Sequence, residues 1–336
     1  MSSLAHGAPI DEIGAPSGRF SGEVLAGFAA GAAWLGVAGL TSLWPDKPDS
    51  DWARTNDLAA ILAVFGGALV LIAVAGPWLG SLAARLRRMV PWLVALAAAL
   101  AVWEVVTAKR GLLPMPFFPP PQGILEVFFD DWARLGESVV ASLRLLAGGY
   151  AIGALAGFVT GVALGWSRLF GYWVHPLLRF VGPLPATAWL PLAFFVFPSS
   201  ASASTFLIAL ATGFPVTVLT WSGVAGVSSA YYDIARTLGA GQRFLIFKVA
   251  VPAALPHVFV GLFMGLGNSF AVLVVAEMLG VKAGLGWYLQ WAQGWAAYAN
   301  MYAALLVMAI VCSGLITLLF RVRDRLLAWQ KGLVRW

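Results

Sequence analysis

Charge is what this sequence has least of. Only 11% of its 336 residues are Asp, Glu, Lys or Arg, while 60% are hydrophobic. A soluble fold of this size needs more charge to cover its surface, which excludes a water-soluble globular domain. Cysteine is nearly absent. Cys312 stands alone in an apolar run, so the chain has no internal disulfide framework and no thiolate metal cage. The three histidines, His6, His175 and His257, lack ligand spacing. No GxxxxGK[ST] phosphate loop occurs, so the chain supplies no such nucleotide cradle. HExxH, GxSxG and clustered His/Asp sets are missing too, which argues against a membrane-embedded enzyme. The opening twenty residues carry Asp11 and Glu12 instead of a short basic region, unlike a signal peptide.

What is present is long apolar sequence. The segments 58–80 and 145–167 hold no charged residue. Each exceeds the roughly 20 residues that a helix needs to cross the hydrocarbon of a bilayer. Backbone groups in lipid must pair within the segment, and a barrel would need polar/apolar alternation that these runs lack. The fold class expected is therefore all-α, a polytopic transmembrane bundle. Eight helices are expected, at about 23–43, 58–79, 90–108, 142–166, 174–197, 203–224, 255–280 and 300–321. With all eight crossing and the N-terminus cytoplasmic, fourteen of the 21 basic residues fall inside. That bias places both termini in the cytoplasm. The formal charge of +6 then serves orientation and contact with lipid headgroups, and no nucleic-acid partner is expected. Most of the 16 tryptophans, Trp287, Trp291, Trp295 and Trp329 among them, read as interfacial anchors.

Two segments have unusual local chemistry. Pro176, Pro183, Pro185, Pro191 and Pro198 punctuate the span at 174–197, and each interior proline removes a backbone hydrogen bond. A kinked or broken span results, either lining a pathway or serving as a bent structural helix. In the helix at 142–166, Gly149, Gly153, Gly157, Gly161 and Gly165 recur every fourth residue. That spacing lines up one face bare of side chains, on which another helix of the chain is expected to pack closely, with a subunit interface as the alternative. Gly261 and Gly265 repeat the device.

The polar interruption at 230–252 is the most informative stretch. Tyr231–Leu238 makes a short helix, and Gly239 and Gly241 stand where a helix ends in a left-handed residue. Gln242–Val249 makes a second short amphipathic helix, and Pro252 and Pro256 break the chain before it re-enters the membrane. Such an elbow has the shape of a knob for another protein's groove, or of a linker lying on the membrane.

The same stretch resembles the cytoplasmic loop signature of ABC importer permeases: Glu-Ala-Ala, three residues, Gly, nine residues, Ile-x-Leu-Pro. Asp233, Ile234 and Ala235 take the first three places, Gly239 the fourth, and Val249, Val251 and Pro252 the last. From about Leu113 onward, two thirds of the chain is similar to the nitrate/sulfonate/taurine branch. The features in common are the entry Leu113–Pro121, Ser142-Leu-Arg, Pro183-Leu-Pro, Ala276-Glu277, Gly284-Leu-Gly286 and a basic tail.

The resemblance implies an N-terminal extension of two helices (1–85) and a permease domain (86–336) in a bacterial inner membrane. It implies the pathway-forming permease subunit of an importer for a small anion such as nitrate, a sulfonate or taurine. The partners implied are two ATPase subunits, which would hold ATP–Mg, a second permease copy and an extracytoplasmic solute-binding protein. This chain would be non-catalytic and hold no cofactor. The coupling residues implied are Asp233, Ala235, Arg236, Thr237, Leu238, Gly239, Ala240 and Pro252. Pathway candidates are the intramembrane polar residues Asn268, Ser269 and Glu277, with Pro183 and Pro185. Glu277, near a helix end, alternatively faces water or pairs with Lys282. An ion-gradient-driven secondary transporter is the competing class. It calls for inverted repeats and several buried acids, and here only Glu104 and Glu277 qualify.

Overall fold

The computed structural model describes residues 17–48, 52–75 and 81–330. The polar stretch at 1–16 and the basic tail with Lys331 and Arg335 lie outside the described residues. Among the described residues all regular structure is helical. The chain forms two compact units, Met1–Val127 and Phe128–Trp336. This division groups the helix at 88–109 with the two preceding helices.

In the first unit α1 (Ser17–Leu43) packs along α2 (Thr55–Val74) and against α3 (Ser81–Glu104). Glycine allows the approach of α1 to α2: a Cβ at Gly66 would sit 2.9 Å from the Leu35 nitrogen. Val37, Ala38, Leu58, Leu62 and Ala97 form one core cluster, and Ala30, Leu69, Val90 and Leu93 a second.

The helix of α3 widens into a π turn at Val105–Lys109, which delivers Lys109 into a buried polar cluster. Its ammonium donates to the carbonyls of Thr41 (2.8 Å) and Trp44 (2.6 Å) and to the Asp46 carboxylate (2.8 Å). The lysine thereby satisfies carbonyls left open at the end of α1. Glu104, also fully buried, accepts from the Thr41 hydroxyl at 2.6 Å and lies 3.6 Å from the same ammonium. Removing one member of such a cluster leaves an uncompensated buried charge. Lys109→Met is accordingly expected to destabilise this unit by about 3 kcal/mol. A thermal melt in detergent tests it, with Lys109→Met/Glu104→Gln expected to regain part of the loss.

The boundary falls within α4 (Pro121–Asp130), and the second unit continues with α5 (Trp132–Trp166), α6 (Arg168–Val181), α7 (Leu190–Val196) and α8 (Ser200–Ala225). These are followed by α9 (Ser229–Thr237), α10 (Gln242–Leu279), α11 (Leu285–Gly294) and α12 (Tyr298–Leu326). Helix α8 is central. Its N-terminus is closed by a reciprocal capping box between Ser199 and Ser202. The α5 glycines lie against it: a Cβ would come within 2.6 Å of Ile208 at Gly149, of Thr220 at Gly161 and of Val224 at Gly165. Gly261 and Gly265 of α10 also approach α8, at the backbone of Val216 and Thr212. The small-residue face thus builds an intramolecular core, which also contains Leu146, Leu207, Ile208 and Leu273.

Among the described residues six helices are long and apolar enough to cross a membrane, with Gly27–Leu43 a shorter apolar helix. A seventh crossing is possible if α6 and the 186–196 segment, bent by 87°, count as one span. The proline-rich span is therefore broken.

The expected start of a helix at 255 is corrected. Residues 242–279 form one continuous helix, with no second short helix and no break at Pro252 or Pro256. A π turn at Leu245–Ala250 opens the backbone ahead of Pro252, relieving the clash of its ring with the preceding turn. The missing N–H of Pro252 then falls in the first turn of the α segment that follows.

Candidate functional site

The elbow between α8 and α10 is a short helix with an apolar outer surface. Helix α9 ends in a Schellman motif, with Gly239 N–H donating to Arg236 O (2.9 Å) and Ala240 N–H to Ala235 O (3.0 Å). Gly239 supplies the required left-handed residue at φ +81°. Gly241 is extended (φ −78°), so only the first of the two expected glycines turns the chain.

Around this bend Tyr231, Ile234, Leu238 and Phe244 are 62, 61, 83 and 52% exposed. With Ala235, Ala240 and the glycines they line an open groove of about 430 Å³. So large an exposed apolar surface marks a contact with protein or membrane. Of the sequence-derived residues, Ala235, Leu238, Gly239 and Ala240 line the groove, whereas Asp233, Arg236 and Thr237 do not. The Asp233–Arg236 pair, at 3.4 Å and exposed, contributes little to the elbow's rigidity. Pro252 lies apart from the groove, within α10. The inner side of the elbow is anchored to the bundle by Tyr232, whose ring meets Trp166 edge-on at 5.8 Å beside buried Val224, Ala250 and Ala254.

A second feature is a cavity of about 300 Å³ at the break between α6 and α7. Gly182, Pro185 and Thr187 line it from the break, Phe214 and Pro215 from α8, and Asn268 from α10. The structure thus brings Pro185 and Asn268 together. Pro183 is exposed beside the cavity without lining it. Ser269 is buried, its hydroxyl donating to Leu266 O at 3.0 Å.

Glu277 stands apart from both sites. It neither faces water nor pairs with Lys282: it is 1% exposed, and accepts from the Ser142 hydroxyl (2.7 Å) and the Gly286 N–H (2.8 Å). Another buried contact joins Tyr288, which donates to Asp131 (2.6 Å) and accepts from the Asn300 amide (2.7 Å). Burial, and after it the bond to Asp131, pushes the Tyr288 hydroxyl above its ordinary pKa, so it remains a proton donor. Sequence reasoning missed this triad. Its members lie 12 to 169 residues apart and carry no spacing signal.

Comparison with known proteins matches residues 149–330 to the family model "Binding-protein-dependent transport system inner membrane component". The nitrate import permease protein NrtB of Synechococcus elongatus is 30% identical over 262 residues, covering 74% of this chain and 91% of that protein. The bicarbonate transport system permease protein CmpB of the same organism is 32% identical over 199 residues, 59% of this chain and 67% of that one. An inward-facing structure of the MetNI methionine ABC transporter aligns with TM-score 0.48 and 16% identity, over 62% of this chain and 99% of that chain. The matched family segment contains α8, the elbow, α10 and the cavity-lining residues. This multi-pass membrane chain belongs to the family of inner membrane components of binding-protein-dependent transport systems, the ABC importer permeases.

Proposed function

We propose that this chain forms the pathway of an ATP-driven importer for a small anion and takes its energy from a separate ATPase gripping the elbow. The observation that carries the proposal is the apolar groove at 231–244, rigidly terminated at Gly239 and anchored at Tyr232. A greasy, ordered knob on a polar connection is suited to a protein groove. By the positive-inside count the elbow is cytoplasmic, where ATP is available. In this reading ATP–Mg belongs to the partner, and this chain is non-catalytic.

The anion class rests on the relatives, which are named for nitrate and bicarbonate. Supporting it, the cavity holds polar groups of the right kind, Asn268, Thr187 and backbone, with no charged residue among its lining. An anion passing there would be met by dipoles weak enough to release it. Pro183, Leu184 and Pro185 of the break are exposed in the single chain. Non-helical backbone at membrane depth needs cover by protein or water. That need favours a second copy of this chain closing the pathway, with an external binding protein delivering solute.

Reconstitution with the partner ATPase and binding protein in proteoliposomes tests the proposal. Uptake of radiolabelled nitrate or bicarbonate is expected to require ATP, and Leu238→Asp is expected to abolish copurification of the ATPase. Uptake that follows an ion gradient without ATPase would overturn it. Asn268→Leu is expected to lower uptake about fivefold through loss of one hydrogen-bonding group. ATPase copurification should stay unchanged.

A further inference from the structure

We propose that Glu277, together with Ser142, is a positioning residue. It joins α11 rigidly to the far end of α10, so that displacement of the elbow reaches α11 and sets access to that end of the pathway. The inference rests on the importer reading and adds to it a means of transmission.

The first observation is continuity. The elbow leads directly into α10, which runs unbroken from Gln242 to Leu279. Glu277 is two residues from its end. At 1.5 Å per residue the helix carries any displacement across roughly 50 Å between the two.

The second is the joint itself. Helix α11 begins with free backbone N–H groups, as any helix does. Gly286 N–H donates to one Glu277 oxygen at 2.8 Å, and Leu285 N–H donates to the Ser142 hydroxyl oxygen at 2.8 Å. That hydroxyl in turn donates to the other Glu277 oxygen at 2.7 Å. One carboxyl group thereby ties the start of α11 to both α10 and α5.

The third is the fit. Gly284 has φ +107°, and a Cβ there would run into the Glu277 carboxylate. A Cβ at Gly286 would come 2.8 Å from Glu277 Cβ. The carboxylate therefore has its place because both neighbours are glycine. Glu277 and Ser142 are 1 and 2% exposed, so parting them would strand a buried acid without partners. Such a joint stays closed through a working cycle.

Further along, α11 is held by Tyr288 to Asp131 and Asn300, and Arg134 lies 4.8 Å from the Trp291 ring. The short helix thus straps the same ends of α5, α10 and α12, and Glu277 makes α10 its driver.

The test uses the intact transporter in proteoliposomes, with ATP hydrolysis and uptake measured side by side. For Glu277→Ala, hydrolysis is expected to stay within about twofold of the parent while solute moved per ATP falls about tenfold. Glu277→Gln keeps an acceptor for the Gly286 N–H and is expected to recover part of that ratio. A spin label at exposed residue 290 on α11 is expected to shift with ATP in the parent and not in Glu277→Ala. Hydrolysis and uptake falling in proportion would overturn the proposal, as would an unchanged ratio. So would a change confined to solute KM, the mark of a pathway acid. If Glu277→Ala does not assemble, Glu277→Gln and Ser142→Ala decide by the same ratio. A parent complex without ATP-driven uptake would sink the importer reading itself.

Discussion

Gly239→Val is expected to reduce ATP-driven uptake at least about tenfold and to weaken ATPase association, while the chain still inserts and its bundle remains folded. The residue sits at φ +81°, where a β-branched side chain is a severe outlier that costs on the order of 1–3 kcal/mol. A Cβ at Gly239 would meet nothing within 4 Å, so the substitution has no internal clash to confuse the result. The whole effect falls on the turn. With the left-handed residue disfavoured, the two Schellman hydrogen bonds loosen and Leu238 no longer stands beside Ile234 and Phe244. Asparagine tolerates this backbone region, so Gly239→Asn separates two causes. Retained uptake in Gly239→Asn assigns the defect to backbone shape. Loss in both assigns it to a partner surface too close to admit any side chain. Unchanged uptake and copurification in Gly239→Val would remove the elbow from the coupling machinery.

The contrast between what the sequence made legible and what it hid has a physical pattern. The spans were legible because lipid demands a contiguous apolar run, a one-dimensional property. The glycine face was legible for a similar reason: a four-residue period fixes which residues share a helix face. Its partner, α8, was not, because nothing in Gly149–Gly165 says which helix fills the space. The break near Pro183–Pro185 followed from proline chemistry, while the cavity behind it needed Phe214 and Asn268 brought in from two other helices. The misreading at Pro252 had a definite cause. Proline in a helix interior was weighed against an α-helical ladder, but the π turn at 245–250 changes the geometry into which the ring must fit. Glu277 was legible as an acid in an apolar run, while its partners Ser142 and Gly286 were not. A buried acid near a helix end has the same sequence signature whether it meets a solute, a lysine or the N-terminus of the next helix.

Gly153→Leu is expected to be the most disruptive single change in the second unit, costing on the order of 3 kcal/mol or more and leaving little folded protein. A Cβ at residue 153 would run into the carbonyl of Ala209 and lie 2.8 Å from Thr212 Cβ, so the obstacle is backbone, which cannot rotate aside. The two helices must separate, and the cost does not stay local. Gly149, Gly157, Gly161 and Gly165 share the seam, so parting it at Gly153 opens contacts with Ile208, Val216, Thr220 and Val224 together. Lipid offers no compensating hydrophobic force to press the helices back, because tails solvate the exposed faces as well as a neighbour does. Gly148 provides the control. It precedes the seam by one position, and a Cβ there meets nothing within 4 Å. Gly148→Leu is therefore expected to accumulate at the parental level, with a detergent melting temperature close to that of the parent. Equal loss in both variants would show that helix propensity or insertion, rather than close packing on α8, sets the stability of α5. Loss confined to Gly153→Leu, graded through Gly153→Ala, would establish α8 as the helix against which α5 is fixed. The cavity at Phe214 and the start of the elbow at Ser229 then inherit their positions from that one seam.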